Sequence, residues 1–119
     1  MQRSEWLVAV RYFEACWSSF SPAELELLLA PDVVFVSGNT VTNGQAAVMH
    51  LFCSEYFEKV EIDKTHIVSF ELVPQAENVI AASYAIFQVR CGQKQQLQAI
   101  DVLTLDKNSL IRKIERIKP

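Results

Sequence analysis

Residues 79–105 read VIAASYAIFQVRCGQKQQLQAIDVLTL, two long apolar runs separated by a glycine. The first run extends from Val79 to Cys91, Gly92-Gln93 marks a tight turn, and the second run extends from Lys94 to Leu105. Runs of this length on either side of a short turn predict a β-hairpin. Its two strands are predicted to be antiparallel, because a parallel pair needs a crossover of a dozen or more residues.

Two further strands are predicted beside this hairpin. Apolar and polar side chains alternate from Val60 to Leu72, and the turn cluster Pro74 to Asn78 leads into the hairpin. After a second turn, Asp106 to Ser109, the run Leu110 to Ile117 returns as a last strand. A period of two is typical of strands with one buried face. The second half of the chain is therefore predicted to be an antiparallel sheet.

Helices are predicted in the first half of the chain. Ser4 is a candidate N-cap for a first helix, whose apolar stripe has spacings of three and four residues: Trp6, Val10, Phe13 and Trp17. Ser21-Pro22-Ala23-Glu24 is a capping box that starts a second helix, and Pro31 is expected to end it.

A short strand and a third helix follow. Val33 to Val36 is a β-branched run between turn residues, so it is predicted to be a strand. Asn43-Gly44 is expected to open a third helix that runs through Phe57. Near Val60 the spacing of apolar residues changes from a period of about 3.6, typical of a helix, to a period of 2, typical of a strand.

Composition limits the classes of protein that the chain can represent. With 119 residues, three Gly and four Pro, it is predicted to form one domain over 1–119 without long flexible linkers. The formal net charge of −3 gives no reason to expect a nucleic-acid partner. Lys107 to Lys118 is the most basic stretch, and it is interpreted as a strand with a solvated face. No apolar stretch is long enough for a membrane span, and Met1 to Glu5 lacks the features of a signal peptide.

The cysteines indicate a compartment. Cys16, Cys53 and Cys91 are odd in number and contain no CxxC pair, so free thiols in a reducing, cytoplasmic environment are expected. Each lies in an apolar run, where Cys usually behaves as a small buried hydrophobe.

The central strands are apolar on both faces, which indicates a partner. Ile80, Tyr84 and Ile86 lie on one side, and Ala81 and Phe87 lie on the other side. One face must carry the helices, and the other would meet water unless something covered it. We therefore expect a homodimer that forms through the outer face of the sheet.

The order of elements and four stretches of sequence resemble the nuclear transport factor 2-like superfamily, also called cystatin-like cone folds. The stretches are Leu29 to Phe35, Gly44, Ile100 to Asp106, and Leu110 to Ile114. The polyketide-cyclase-like (SnoaL-like) and ketosteroid-isomerase-like branches are the most similar. The resemblance covers essentially the whole chain and implies an α+β fold, in which three N-terminal helices pack on a curved, mostly antiparallel sheet to form a cone.

By this resemblance, Tyr12 and Asp101 occupy the positions of two hydrogen-bond donors to an oxyanion. A carboxyl group between Ile100 and Val102 is disfavoured as an anion, so a protonated Asp101 is expected to donate. The alternative is that Asp101 is a structural anchor, which accepts hydrogen bonds from Tyr12 or from an indole.

The remaining site candidates concern the base and the pocket wall. The resemblance places a carboxylate base where this chain has Ser37, which cannot abstract a proton near neutral pH. Trp17, Phe35, Ser37 and Phe87 are the candidate ligand-binding residues. His50 and His66 have no second His or Cys at ligand spacing, so neither a metal nor another cofactor is expected.

Two functions therefore remain open from the sequence. In the first, the chain binds a hydrophobic small molecule in the conical pocket, as a binding protein or as a diverged isomerase or cyclase without the usual base. In the second, it is a non-catalytic module for dimerisation or for binding a protein partner, with the cone filled by Trp6, Trp17, Phe13 and Phe87.

Overall fold

The computed structural model describes residues 3–118, without the side chains of residues 3, 4 and 62. The cap predicted at Ser4 lies outside these described side chains. In chain order the elements are α1 (Arg3–Trp17), α2 (Pro22–Leu28), β1 (Leu29–Ser37), β2 (Thr40–Asn43), α3 (Gln45–Phe52), β3 (His66–Ala76), β4 (Val79–Arg90), β5 (Gln93–Leu105) and β6 (Ile111–Ile117). A π-helical turn, Cys53–Phe57, continues α3, and a 3-10 turn, Ile62–Lys64, precedes β3. Within residues 3–118, no helix is both long and apolar enough to cross a membrane.

The six strands form one sheet in the order β2-β1-β6-β5-β4-β3. All neighbouring pairs are antiparallel except β1 and β6, which are parallel. The three helices lie on one face, where α1 packs on β3 and β4 and α3 packs on β1 and β2. The predicted α+β fold, with three helices on a mostly antiparallel sheet, is confirmed.

The core lies between α1 and the inner face of the sheet. Alternate residues of β4 and β5 point towards the helices, as the period of two requires. The residues of these two strands that belong to the hydrophobic core cluster are Ile80, Ala82, Tyr84, Ile86, Ala99, Leu103 and Leu105. Phe13 of α1 stacks on Phe70 of β3 with ring centroids 3.9 Å apart.

The two prolines at predicted boundaries lie inside strands instead. The chain becomes extended at Leu29, two residues before Pro31, and β1 then runs past the proline. The pairing of β1 with β6 is interrupted between Leu29 and Val34, so the missing N–H of Pro31 removes no ladder bond. Pro74 lies in β3, an edge strand, where a proline is also tolerated.

Three short features differ from the predicted elements. The sequence analysis missed β2, which pairs with the end of β1 through a turn at Gly38, where φ is +59°. The strand predicted from Val60 begins at His66, and Val60 forms only an isolated bridge to Arg90. Of the three cysteines expected to be buried, Cys16 is buried, Cys53 is half-buried, and Cys91 in the β4–β5 turn is exposed, so the expectation is wrong for Cys91.

Candidate functional site

A buried polar cluster lies on the inner face of the sheet and consists of Tyr12, Tyr84, Asp101 and Arg116. Tyr12 on α1 donates a hydrogen bond from its hydroxyl to Asp101 Oδ2 over 2.8 Å. Both residues are fully buried. The helical half and the sheet half of the fold therefore bring Tyr12 and Asp101 together as expected, although their functional role stays a prediction.

Arg116 on β6 completes the cluster. Its Nε lies 2.8 Å from Asp101 Oδ1 and its Nη2 lies 2.9 Å from Oδ2, a two-pronged ion pair between side chains with no exposure to solvent. Asp101 and Arg116 are direct register partners on β5 and β6. The interpretation of residues 107–118 as a strand with a solvated basic face is wrong for Arg116, because it shares the inner face with Ile114.

Asp101 is an acceptor at both carboxylate oxygens. Oδ1 accepts from Arg116 Nε and from the Tyr84 hydroxyl at 3.1 Å, and Oδ2 accepts from Arg116 Nη2 and from Tyr12. All four of these neighbouring groups donate to the Asp101 carboxyl group. None of them serves as an acceptor for a proton on that group. These contacts are the ones that the anchor alternative describes, and the role of Asp101 as a donor to a ligand stays a prediction.

The other members of the cluster keep their protons. Burial, reinforced by the negative charge of Asp101, raises the pKa of Tyr12 well above its ordinary value. Burial also raises the pKa of Tyr84, although Arg116 opposes this shift. Burial alone would lower the pKa of Arg116, but Asp101 and the tyrosines outweigh it and raise that pKa. The cluster therefore contains one positive charge, one negative charge and two neutral phenols.

Four aromatic rings enclose the guanidinium group, and we call them the aromatic cage: Trp17, Phe35, Phe52 and Tyr56. The guanidinium carbon lies 4.7 Å from the ring centroid of Tyr56 and between 5.3 and 5.7 Å from the other three. At these distances the faces of the rings attract a cation. Tyr56 is half-buried, whereas the other three rings are buried.

Three buried polar atoms have no hydrogen-bond partner among residues 3–118. Two of them belong to side chains at the aromatic cage, and the third lies outside it. They are Arg116 Nη1, Trp17 Nε1 and Gln88 Oε1. The first two are donors on side chains that contact each other, and Gln88 lies farther along β4 towards the hairpin turn. A buried polar group without a partner costs about 1–3 kcal/mol, so each of these atoms calls for a partner.

Three of the four candidate ligand-binding residues lie around Arg116. Trp17 and Phe35 belong to the aromatic cage, and Ser37 lies beside Arg116 in the β1–β6 register. Ser37 is half-buried at the end of β1. The structure thus brings Trp17, Phe35 and Ser37 together, and their binding role stays a prediction.

Phe87 does not join them, because it lies on the outer face of β4. It is the register partner of His66, and the two rings stack with centroids 6.4 Å apart. Ile86, one residue earlier, points into the core, so strand alternation directs Phe87 to the opposite face. The expectation that Trp6 fills the cone is also wrong, since 42% of its surface is exposed.

The sequence analysis missed Arg116, Tyr84, Phe52 and Tyr56 as site residues. One signal was available: an acid in an apolar strand requires a counter-charge, and Arg116 has the spacing from Ile114 that places it on the inner face. His50 and His66 are exposed. In the described part of the chain, no group of His, Cys, Asp and Glu side chains is arranged to hold a metal ion.

Asp101→Leu should destabilise the protein by about 3–5 kcal/mol, because Arg116 would be left as an uncompensated buried charge. The double variant Asp101→Leu with Arg116→Met should recover a large part of that loss, since no buried charge then remains. Urea denaturation of the two single variants and the double variant measures this coupling. Purely additive losses would show that the two side chains do not act as a pair.

Tyr12→Phe should make stability less sensitive to alkaline pH. The raised pKa of Tyr12 stabilises the fold fully below pH of about 10, the ordinary tyrosine value, and this contribution is lost as pH rises towards the folded-state pKa. Removing the hydroxyl should reduce the slope of unfolding free energy against pH by about 1.4 kcal/mol per unit above that point. Urea midpoints in small pH steps test this, and equal slopes would contradict it.

Comparisons with known proteins agree with this architecture. The protein RV0760c from Mycobacterium tuberculosis superposes with a TM-score of 0.81 at 15% identity, over 100% of this chain and 93% of that chain. A putative polyketide cyclase from Xanthomonas campestris pv. campestris gives 0.80 at 14% identity, over 96% and 89%. The Δ5-3-ketosteroid isomerase from Mycobacterium sp. gives 0.78 at 13% identity, over 98% and 93%. No protein-family model and no curated protein sequence matches the chain. Identities this low are evidence of the fold alone.

Proposed function

We propose that this chain, which has the nuclear transport factor 2-like fold, binds a small and mainly apolar molecule inside its cone without isomerising it. The observation that carries this proposal is the aromatic cage, which surrounds a buried polar cluster with ring faces. Ligand sites of this kind combine an apolar wall with a few polar groups that orient the ligand.

Tyr56 supplies the route into the cone. It is the half-buried member of the aromatic cage, so it stands between the Arg116 guanidinium and solvent. The π-helical turn that carries it is a geometry frequent at functional sites. An ion pair between Glu55 and Arg90, with 2.6 Å between Oε2 and Nη2, ties this turn to β4. Rotation of the Tyr56 ring would open a path to the cage without moving the sheet.

The polar cluster favours binding over isomerisation. Asp101 accepts four hydrogen bonds, so it has no proton to donate to a developing oxyanion. Ser37 stands where the resemblance places the catalytic carboxylate, and a hydroxyl does not abstract a proton near neutral pH. Both halves of the isomerase chemistry are therefore lacking at these positions.

A fold neighbour supports the class of ligand. RV0760c has been crystallised in complex with estradiol-17beta-hemisuccinate. The shared fold can thus hold a molecule with an apolar ring body, and the aromatic cage of this chain offers matching surfaces.

The neutral fluorophore N-phenylnaphthylamine tests binding, because its emission rises in apolar surroundings. We expect saturable binding with a Kd on the order of micromolar. Tyr56→Ala should accelerate association by removing the ring at the entrance. Ile100→Asn, which changes an exposed residue on the outer face, is the matched control and should leave both affinity and rate unchanged.

Two results would contradict this proposal. Binding that is lost in Ile100→Asn but unaffected by Tyr56→Ala would place the probe on the outer face. Turnover of a Δ5-3-ketosteroid by the unmodified protein above the uncatalysed rate would show that the cone performs isomerisation.

We also propose that two copies associate through the outer face of the sheet. Ile100 and Ile117 are exposed by 39% and 46% and line an open cleft of about 150 Å³ with Ser83, Gln98 and Ala99. Lys113 and Glu115 lie on the same face of β6 as Ile117. A twofold axis there would pair apolar residues centrally and let opposite charges meet. A second copy is therefore the occupant that fits this face.

Sedimentation equilibrium tests the association. We expect a dimer at micromolar concentration and a monomer for Ile117→Lys, because that change places like charges across the twofold axis. Arg112→Ala, at another exposed position of β6, is the control. A monomeric unmodified protein at this concentration would refute the proposal.

The thiols support a reducing location. Cys16, Cys53 and Cys91 are all unpaired, and Cys91 is exposed at a turn. We therefore propose that the protein works in the cytoplasm.

A further inference from the structure

We propose that the ligand carries a neutral carbonyl oxygen, which accepts hydrogen bonds from Arg116 Nη1 and Trp17 Nε1. This inference rests on the proposed function, because it names the polar group by which the cone would orient its ligand. Within residues 3–118 these two nitrogens are buried and have no acceptor.

The two donors belong to neighbouring side chains. The guanidinium carbon of Arg116 lies 5.7 Å from the centroid of the Trp17 ring, and both side chains are almost completely buried. Arg116 turns its Nε and Nη2 edge to Asp101, and a guanidinium group is planar and rigid. Nη1 therefore lies on the opposite side of the guanidinium group from Asp101. Asp101 acts as a positioning residue for this donor.

The charge of the cluster selects a neutral ligand group. Arg116 and Asp101 cancel each other, and Tyr12 and Tyr84 are neutral phenols with raised pKa values. An added carboxylate or sulfonate would leave a net negative charge among aromatic rings and away from water, which is strongly disfavoured. A ligand cation would lie beside the guanidinium and be repelled. A neutral oxygen adds no charge.

Among neutral ligand groups, the two unpartnered nitrogens favour a carbonyl, because they can only donate hydrogen bonds. Arg116 Nη1 and Trp17 Nε1 only donate, because neither guanidinium nor indole nitrogen accepts hydrogen bonds. An alcohol or amine could accept from one of them, but its own hydrogen would need a further acceptor, which neither nitrogen provides. A ketone, quinone or ester oxygen has two lone pairs and no hydrogen, so it can accept from both donors.

Three fluorophores that share a naphthalene ring system test the contribution of the carbonyl group to binding. Prodan is a neutral ketone, dimethylaminonaphthalene lacks the carbonyl, and dimethylaminonaphthoate replaces the ketone by a carboxylate. We expect prodan to bind about ten-fold more tightly than dimethylaminonaphthalene, the gain of about one good hydrogen bond. The carboxylate should bind most weakly. Bound prodan should emit at longer wavelength than in a hydrocarbon solvent, because hydrogen bonds to its carbonyl shift its emission to the red.

Variants assign the contact to the two nitrogens. Trp17→Phe keeps an aromatic ring but removes the indole N–H, and it should weaken prodan binding several-fold while leaving dimethylaminonaphthalene unchanged. Arg116→Lys keeps the positive charge beside Asp101 but removes Nη1, and it should also blue-shift the emission of bound prodan. Trp6→Phe is the control, because it removes the indole N–H of an exposed tryptophan on the same helix, outside the aromatic cage. Thermal denaturation confirms that each variant is folded.

The outcomes separate this inference from the proposed function. If dimethylaminonaphthalene binds as tightly as prodan, the cone binds apolar molecules but the two donors do not select a carbonyl, and the inference alone fails. Tighter binding of the carboxylate would overturn the argument from charge. If none of the three probes binds to the folded protein, the proposed function fails as well.

Discussion

The ion pair between Asp101 and Arg116 is the constraint on which the rest of the structure depends. Neither side chain is exposed to solvent. Removing two charges from water costs several kcal/mol per ion even after relaxation, so the surrounding residues must supply hydrogen bonds and favourable electrostatics. Tyr12 and Tyr84 add donors to the carboxylate, and four ring faces surround the guanidinium. Because Tyr12 is 89 residues from Asp101 in sequence, the same network fixes α1 against the sheet and β6 in register with β5.

This network also determines which chemistry the cone supports. The resemblance to isomerases led to an expectation of two donors, a tyrosine and a protonated acid. In the structure Asp101 accepts hydrogen bonds from the Arg116 guanidinium group, and the Tyr12 hydroxyl also donates to it. The donors left without a partner among residues 3–118 belong to groups that the resemblance does not include, namely Arg116 Nη1 and Trp17 Nε1. Arg116 on β6 thus engages both oxygens of Asp101, which is why the proposed function is ligand binding and not isomerisation.

The sequence predicted the features that depend on local pattern and missed those that depend on pairing. The β4–β5 hairpin follows from two long apolar runs on either side of a short turn, α1 follows from its apolar stripe, and α2 follows from its capping box. Arg116 was misassigned because the surrounding basic residues dominate that stretch, whereas its burial depends on Asp101 lying opposite on β5, a non-local contact. Phe87 was assigned to the pocket because β4 is apolar on both faces, so alternation alone does not show which face is inner. The parallel pairing of β1 with β6 and the four-residue β2 have no local signal of comparable strength.

Stability alone does not explain why such a cluster is present. Well-packed apolar residues in place of a buried ion pair are often neutral or stabilising, so an anchor between α1 and the sheet requires no charge. If the cluster were only an anchor, a side chain with fewer donors could satisfy Asp101 with Tyr12 and Tyr84, and no N–H would be left over. Arginine instead brings a nitrogen that the carboxylate does not reach, and Trp17, whose ring lies beside the guanidinium group, brings a second buried donor. These two unpartnered donors are a cost to the folded chain, and under the proposed function a ligand oxygen would remove that cost.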